Sequence, residues 1–156
     1  MRIIGIDPGT GILGFGVIDY IKHQPKMIDA GVIRTPVKED DAVRLGIIYN
    51  ELASVIKETR PEVMAVEKLF FAQNVTTAMT VAQARGIVLL TAIQADLQIY
   101  EYTPLQIKQA LTGYGRADKK QIQEMVKVIL KLKQVPRPDD CADALAAAIT
   151  HSMTMR

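Results

Sequence analysis

The sequence predicts a mixed α/β domain: a five-stranded mixed sheet, ordered 3-2-1-4-5, flanked by helices. The chain opens with three short apolar strands joined by tight turns. The pattern then switches from alternation to helical spacing. Two further short apolar strands follow, each set between helices. The 156 residues are read as one domain spanning 1–156. A chain of this length buries roughly 70% of its unfolded surface, so it builds a core without staples.

Ile3 to Asp7 reads as a short buried strand, and Gly9 and Gly11 mark the turn after it. Phe15, Val17 and Tyr20, with Gly14, Gly16 and Ile18, read as the second strand. A Lys22-His23-Gln24-Pro25 turn leads to a third, Met27 to Ile33, completing an antiparallel meander. Leu45, Ile48, Leu52, Val55 and Ile56 recur at helical spacing, and Pro61 closes that helix. Val63 to Val66 is a fourth strand ending at Glu67.

Val75 to Gln94 is the longest helical stretch. One face carries Ala78, Ala82, Leu89 and Ile93; another carries Val81, Ala84, Val88 and Ala92. Apolar character on two faces predicts burial on two sides, one against the sheet and the other open to a second subunit. Gln98 to Tyr102 is the last strand. Thr103-Pro104-Leu105-Gln106 has the form of a capping box with proline at the first helical position. Asp118-Lys119-Lys120-Gln121 resembles a second such start, after the basic loop Gly113-Tyr114-Gly115-Arg116. An alanine-rich helix from about Asp139 to His151 ends the pattern, its small residues suited to close packing.

Hydrophobic residues make up 49% of the chain and charged residues 23%, which excludes a disordered polypeptide. The single cysteine, Cys141, cannot form an internal disulfide, so a reducing, cytoplasmic setting is expected. The N-terminal apolar run is too short for a signal peptide, and unbroken apolar runs are too short to span a membrane. The net charge of +2 is low for a protein that coats DNA indiscriminately.

The acids carry more information. Asp7 and Glu67 each end an apolar strand, where a charge is costly unless paired or bound to metal. If strands 1 and 4 are parallel neighbours, about 4.8 Å apart, the two carboxylates meet at one sheet edge, where open α/β sheets bind ligands. Asp140 and Asp143 lie three apart on one face of the alanine-rich helix. Asp143 is flanked by Ala142, Ala144, Leu145 and Ala146, so a surface role explains it poorly. Asp139 also shares a face with Asp143, so spacing leaves Asp139 and Asp140 as alternatives, and first-turn acids suit the helix dipole in either case. Four converging carboxylates without Cys or His suit hard cations such as Mg²⁺. Two such ions would balance the charge and form the clamp used for in-line displacement at phosphate.

The opening Gly5-Ile6-Asp7-Pro8-Gly9-Thr10 with Gly14-Phe15-Gly16 resembles the RuvC family of Holliday junction resolvases. So do Val66-Glu67-Lys68-Leu69-Phe70, Gln83-Ala84-Arg85-Gly86 and Asp140-Cys141-Ala142-Asp143-Ala144-Leu145-Ala146, continuing to Ile149-Thr150-His151. The resemblance covers nearly the whole chain. It implies a ribonuclease H-like fold, a homodimer, and Mg²⁺-dependent cleavage of four-way DNA junctions by paired nicks in recombination and repair. It implies catalytic and metal-binding roles for Asp7, Glu67, Asp140 and Asp143, choosing Asp140 because the family motif is Asp-x-x-Asp-Ala. Two Mg²⁺ per subunit are implied, with Mn²⁺ substituting, as is partnership with a branch-migration motor.

The family places an aromatic soon after its second acid, and Phe70 matches; an exposed phenyl ring stacks on an unpaired base or wedges between base steps. Lys108 and Lys119 match its basic positions. Lys119 and Lys120 stand at a helix N-terminus, where the dipole disfavours cations, an arrangement that makes sense if a phosphate docks there. Lys119 is therefore expected to act in catalysis, and Lys108, Arg116, Lys119 and Lys120 to contact DNA. Arg85 is a weaker candidate for DNA contact, with a structural ion pair as the alternative reading. His151 follows Asp143 by eight residues, rotated about 80° and displaced about 12 Å, so it is read as structural or exposed. His23 is expected to be exposed and Cys141 to pack as a small hydrophobe.

The alternatives are a related nuclease on another branched or RNA-containing substrate, a junction-binding module that does not cut, and an actin-like ATPase or sugar kinase. The last needs two related domains, which 156 residues do not accommodate.

Overall fold

The computed structural model describes residues 1–68 and 75–155. Five strands, β1 (Arg2–Asp7), β2 (Ile12–Ile21), β3 (Gln24–Arg34), β4 (Val63–Glu67) and β5 (Gln98–Tyr102), form one sheet in the order β3-β2-β1-β4-β5. β1, β2 and β3 pair antiparallel, while β1–β4 and β4–β5 pair parallel. The predicted mixed sheet and its order are therefore observed. The Lys22-His23 hairpin loop is tighter than expected. Both residues have positive φ (50° and 62°), and Gln24 and Pro25 already pair with β2. Pro25 is tolerated because β3 is an edge strand.

Helices cover both faces. α1 (Asp41–Thr59) and α2 (Val75–Gln94) lie on one; α3 (Pro104–Thr112), α4 (Lys119–Ile129) and α5 (Asp139–Thr154) on the other. The alternation of side chains along each strand splits the core accordingly. Ile4, Ile6, Met64 and Val66 pack with α1 and α2, whereas Ile3, Ala65 and Val63 pack with α3, α4 and α5. Both expected capping boxes form, with Thr103 and Asp118 accepting from the backbone N–H of Gln106 and Gln121.

α2 has the expected bounds, and Ala84, Val88 and Ala92 form its buried face. Among the described residues it is the one helix long and apolar enough to cross a membrane, with a mean hydropathy of 1.3. A search for unbroken apolar runs overlooked it because threonines and glutamines interrupt the pattern. Its hydropathy has a visible cause: besides the buried face, Val75, Met79, Ala82, Gly86, Leu90 and Ile93 line up at helical spacing on the exposed side. Arg85, its one charged residue, ion-pairs with Glu101 on β5, the structural one of its two readings.

α5 is the element on which the other helices of its face converge. It crosses β1 and β2 where both present glycine. A Cβ on Gly5 would stand 2.0 Å from the carbonyl oxygen of Ala144 and 2.8 Å from the amide nitrogen of Ala148. A Cβ on Gly14 would stand 2.1 Å from the carbonyl oxygen of Asp140. Backbone therefore touches backbone, helped by the alanines of α5, which are all buried.

Gly5→Ala is expected to destabilise the protein by about 1–3 kcal/mol, the usual range for overpacking, because the obstructing atoms are main chain. Urea unfolding measures it. An unchanged midpoint would mean that α5 has room to lift.

Candidate active site

Asp7 and Glu67 occupy equivalent ends of two parallel strands, one residue beyond the pair Ile6–Val66. Gly5 faces α5 and Ala65 packs in the same half of the core. By the two-residue period, Asp7 and Glu67 also face α5. Asp7 is the cross-strand partner of Gly14, the residue over which Asp140 lies. Asp143 follows one turn later. The glycine contacts thus bring the first turns of α5 over the carboxyl ends of β1 and β4.

The electrostatics record the convergence. Burial, then the charges of Asp143, Glu67 and Asp140, push the Asp7 carboxyl up to about 8 from 3.8. Burial and Asp143 raise Glu67. Burial also raises Asp143, against the opposing hydrogen bond and charge of Lys119. Lys119 Nζ lies 3.1 Å from Asp143 Oδ2 and 3.6 Å from Asp139 Oδ2. Burial alone would lower the Lys119 ammonium, but its bond to Asp143 and the two neighbouring carboxylates raise it overall.

A cleft of about 190 Å³ opens beside these groups, lined by Glu67, Lys108, Lys119 and Asp143 with Pro104, Ile107, Ile122 and Ala146. Of the residues singled out in the sequence, Asp7, Glu67, Asp140, Asp143 and Lys119 are therefore brought together, with Lys108 on the cleft wall. Arg116 and Lys120 are exposed, in the α3–α4 loop and at the start of α4. Phe70 lies outside the described residues. His151 is buried and structural: its Nδ1 shares a 2.7 Å hydrogen bond with the Tyr102 hydroxyl, tying α5 to β5. His23 is exposed, and Cys141 is buried with its thiol toward the Arg137 carbonyl.

With this geometry in place, the family profile described as Crossover junction endodeoxyribonuclease RuvC matches residues 3–151. The chain belongs to the RuvC family. A crossover junction endodeoxyribonuclease RuvC of Brevibacillus brevis is 55% identical over 152 residues, 97% of this chain and 92% of that one. The structure of Thermus thermophilus RuvC in complex with Holliday junction substrate is 40% identical, with a TM-score of 0.94 over 100% of this chain and 95% of that one. The yeast mitochondrial Holliday junction resolvase shares the fold at 13% identity, with a TM-score of 0.72 over 97% of this chain and 77% of that one. The fold is the ribonuclease H-like one that the resemblance implied.

Among the described residues, no three His, Cys, Asp or Glu side chains are grouped tightly enough to hold a metal ion as they stand. The donor set nevertheless fits a hard divalent cation. It offers carboxylate oxygens alone, and burial, reinforced by their mutual repulsion, pushes the Asp7 carboxyl up to about 8. The ammonium of Lys119 partly balances them, and Lys108 eases the charge on Glu67.

Sequence reasoning missed the setting of Asp139. Its carboxylate pairs with Arg137 and lies beside Gln123, which is buried in α4. It also missed the brace on the loop after Asp7. There Arg44 Nε donates to the Thr35 hydroxyl, which donates to the Thr10 carbonyl at 2.6 Å. Only Arg137, two residues from Asp139, lay within reach of a local pattern.

A carboxyl with a raised folded pKa opposes folding once pH exceeds its unfolded value of 3.8, and the penalty grows until pH passes about 8. Asp7→Asn is therefore expected to raise the metal-free melting temperature at pH 8, by about 2–4 °C for each kcal/mol relieved, and to change it little at pH 4. Melting curves at the two pH values check this. Equal shifts at both would show that Asp7 is already ionised at neutral pH.

Proposed function

We propose that this protein is a metal-dependent endonuclease that resolves four-way DNA junctions by symmetric paired nicks, in recombination and repair. The observation that carries the reading is the convergence of Asp7, Glu67, Asp140 and Asp143 beside Lys119 in a chain of the RuvC family. Nucleases of this family are metal-dependent. Asp7, Glu67, Asp140 and Asp143 would hold two Mg²⁺ per subunit, with Mn²⁺ able to substitute. Bound there, such ions supply Lewis acidity toward the scissile phosphate and acidify the attacking water.

The protein's own groups do the rest. The Asp7 carboxyl gives up its proton when it takes up a cation, so metal binding and proton release are linked. Lys119 neutralises charge near the scissile phosphate, while Lys108, on the wall of the same cleft, meets the adjoining backbone. Arg116 and Lys120 extend the basic surface, and the free N–H groups at the start of α4 favour phosphate as well. Phe70 stacks on a base at the junction centre. In-line attack leaves a 5′-phosphate and a 3′-hydroxyl, which allows the nicked duplexes to be ligated.

A four-way junction needs two cuts on opposed strands, which two copies related by a two-fold axis supply. The exposed stripe of α2 supports a homodimer: Met79 and Ile93 are 63% exposed and Leu90 48%, with Ala82 and Gly86 between them. Small residues flanked by large apolar ones allow two such helices to approach closely. A branch-migration motor is the further partner proposed, and the cytoplasm the place of action.

Asp7→Asn and Asp143→Asn are each expected to slow junction cleavage by at least about a hundredfold, roughly 3 kcal/mol of barrier, while keeping junction affinity. The assay pairs gel shift in Ca²⁺ with cleavage in Mg²⁺. Its substrates are a mobile four-way junction, linear duplex, single strand and an RNA–DNA hybrid. Full cutting by either variant removes that carboxylate from the mechanism. Preferential cutting of the hybrid moves the activity to an RNA-containing substrate.

A further inference from the structure

α5 begins with two adjacent acids, and the function above uses only the second. Asp139 is not employed as a helix cap, since its helix starts without a side-chain cap hydrogen bond. Its carboxylate faces three groups, one from the preceding loop and two from α4. Arg137, from the preceding loop, bonds Oδ1; Lys119 Nζ lies 3.6 Å from Oδ2; and Gln123, buried in α4, stands beside it. Lys119 is thus shared between Asp139 and Asp143, at 3.6 and 3.1 Å. A metal ion at Asp139 would have to displace two cationic side chains, which argues against a ligand role for this acid.

The two carboxylates that share Lys119 have different prospects. Asp143 belongs to the set proposed to hold divalent ions, and a carboxylate engaged by such an ion has little charge left for an ammonium. Without another anchor, Lys119 would either compete with the ion for Asp143 or swing into solvent. Asp139, fixed by Arg137, is that anchor. We infer that Asp139 is a positioning residue: it holds the Lys119 ammonium at the rim of the acid site when Asp143 takes up metal, so that the ammonium is in place for the phosphate. The inference rests on the function proposed above for Asp143 and Lys119. It also makes Asp139 a brake on the competition between Lys119 and metal, because each moment spent on Asp139 frees Asp143.

A double-mutant cycle tests it, using Asp139→Ala, Lys119→Ala and the double variant, with Asp139→Glu as the conservative change. The first readout is single-turnover cleavage of a four-way junction at saturating protein and Mg²⁺, beside junction affinity in Ca²⁺. The second is Mn²⁺ binding to DNA-free protein by calorimetry.

Asp139→Ala is expected to slow cleavage by about ten- to a hundredfold, the cost of a misplaced group, with affinity unchanged. Asp139→Glu should restore most of the rate. Asp139→Ala should also weaken Mn²⁺ binding, because Lys119 then rests on Asp143 alone. In the Lys119→Ala background, removing Asp139 should change either quantity by less than about twofold. Losses that multiply across the cycle would overturn the inference, since Asp139 would then act independently of Lys119. A loss of Mn²⁺ stoichiometry in Asp139→Ala would overturn it too, by making Asp139 a ligand. If the wild type cuts no junction, the nuclease reading fails, and the Mn²⁺ arm decides whether Asp139 governs Lys119.

Discussion

Everything in this molecule depends on how close α5 comes to the sheet. Where a helix packs on a sheet through ordinary side chains, its backbone is held well above the strands. Here Gly5 and Gly14 remove the strand side chains, the buried alanines of α5 shrink the helix's own, and main chain meets main chain. A side chain as short as aspartate therefore reaches from α5 into the same space as Asp7 at the end of β1. The contact is steric and local, yet it joins the two ends of the sequence. Residues 7 and 143 belong to one site only because residues 5 and 144 touch.

The crowding of charge that follows has a cost, and the fold distributes it. Asp7 responds by holding its proton, its carboxyl pushed up to about 8 chiefly by burial. Asp143 stays closer to the cleft mouth and takes Lys119 as its partner. Lys119 comes from α4, whose N-terminus is set by the Asp118–Gln121 capping box, so the ammonium arrives on a rigid element rather than a loop. Arg137 holds Asp139 beside it. A group of acids that would repel one another in isolation is thereby kept together, leaving them an unmet need for positive charge. That need would favour a cation or a phosphate at this place and not elsewhere on the sheet.

The opposite face of the sheet serves a different purpose. α1 and α2 close the second half of the core, and the Arg85–Glu101 pair ties α2 to β5. α2 is apolar beyond what that core requires, which is why its composition alone passes for a membrane span. Its exposed stripe lies on the face of the sheet opposite α5, so two copies associating there would leave the acids on the far side of the sheet.

Much of this was legible beforehand. Strand periodicity, the two capping boxes and the switch from meander to alternating helices gave the elements, because those signals are local; the order 3-2-1-4-5 was one arrangement of them, and it needed strand 4 to lie beside strand 1. The four acids were legible as strand-end and helix-face charges with no cheap explanation, and the family motif separated Asp140 from Asp139. Local signals could not show what Asp139 does, that Arg85 meets Glu101, that His151 meets Tyr102, or that the Lys22-His23 turn needs only two residues. These depend on distances between elements far apart in sequence, and such distances are set by packing: by which side chains are missing at Gly5 and Gly14, and by how far α5 and α4 can therefore settle. Chemical type was written in the chain, whereas proximity came from the close-packed core, since only folding converts spacing along a polymer into separation in space.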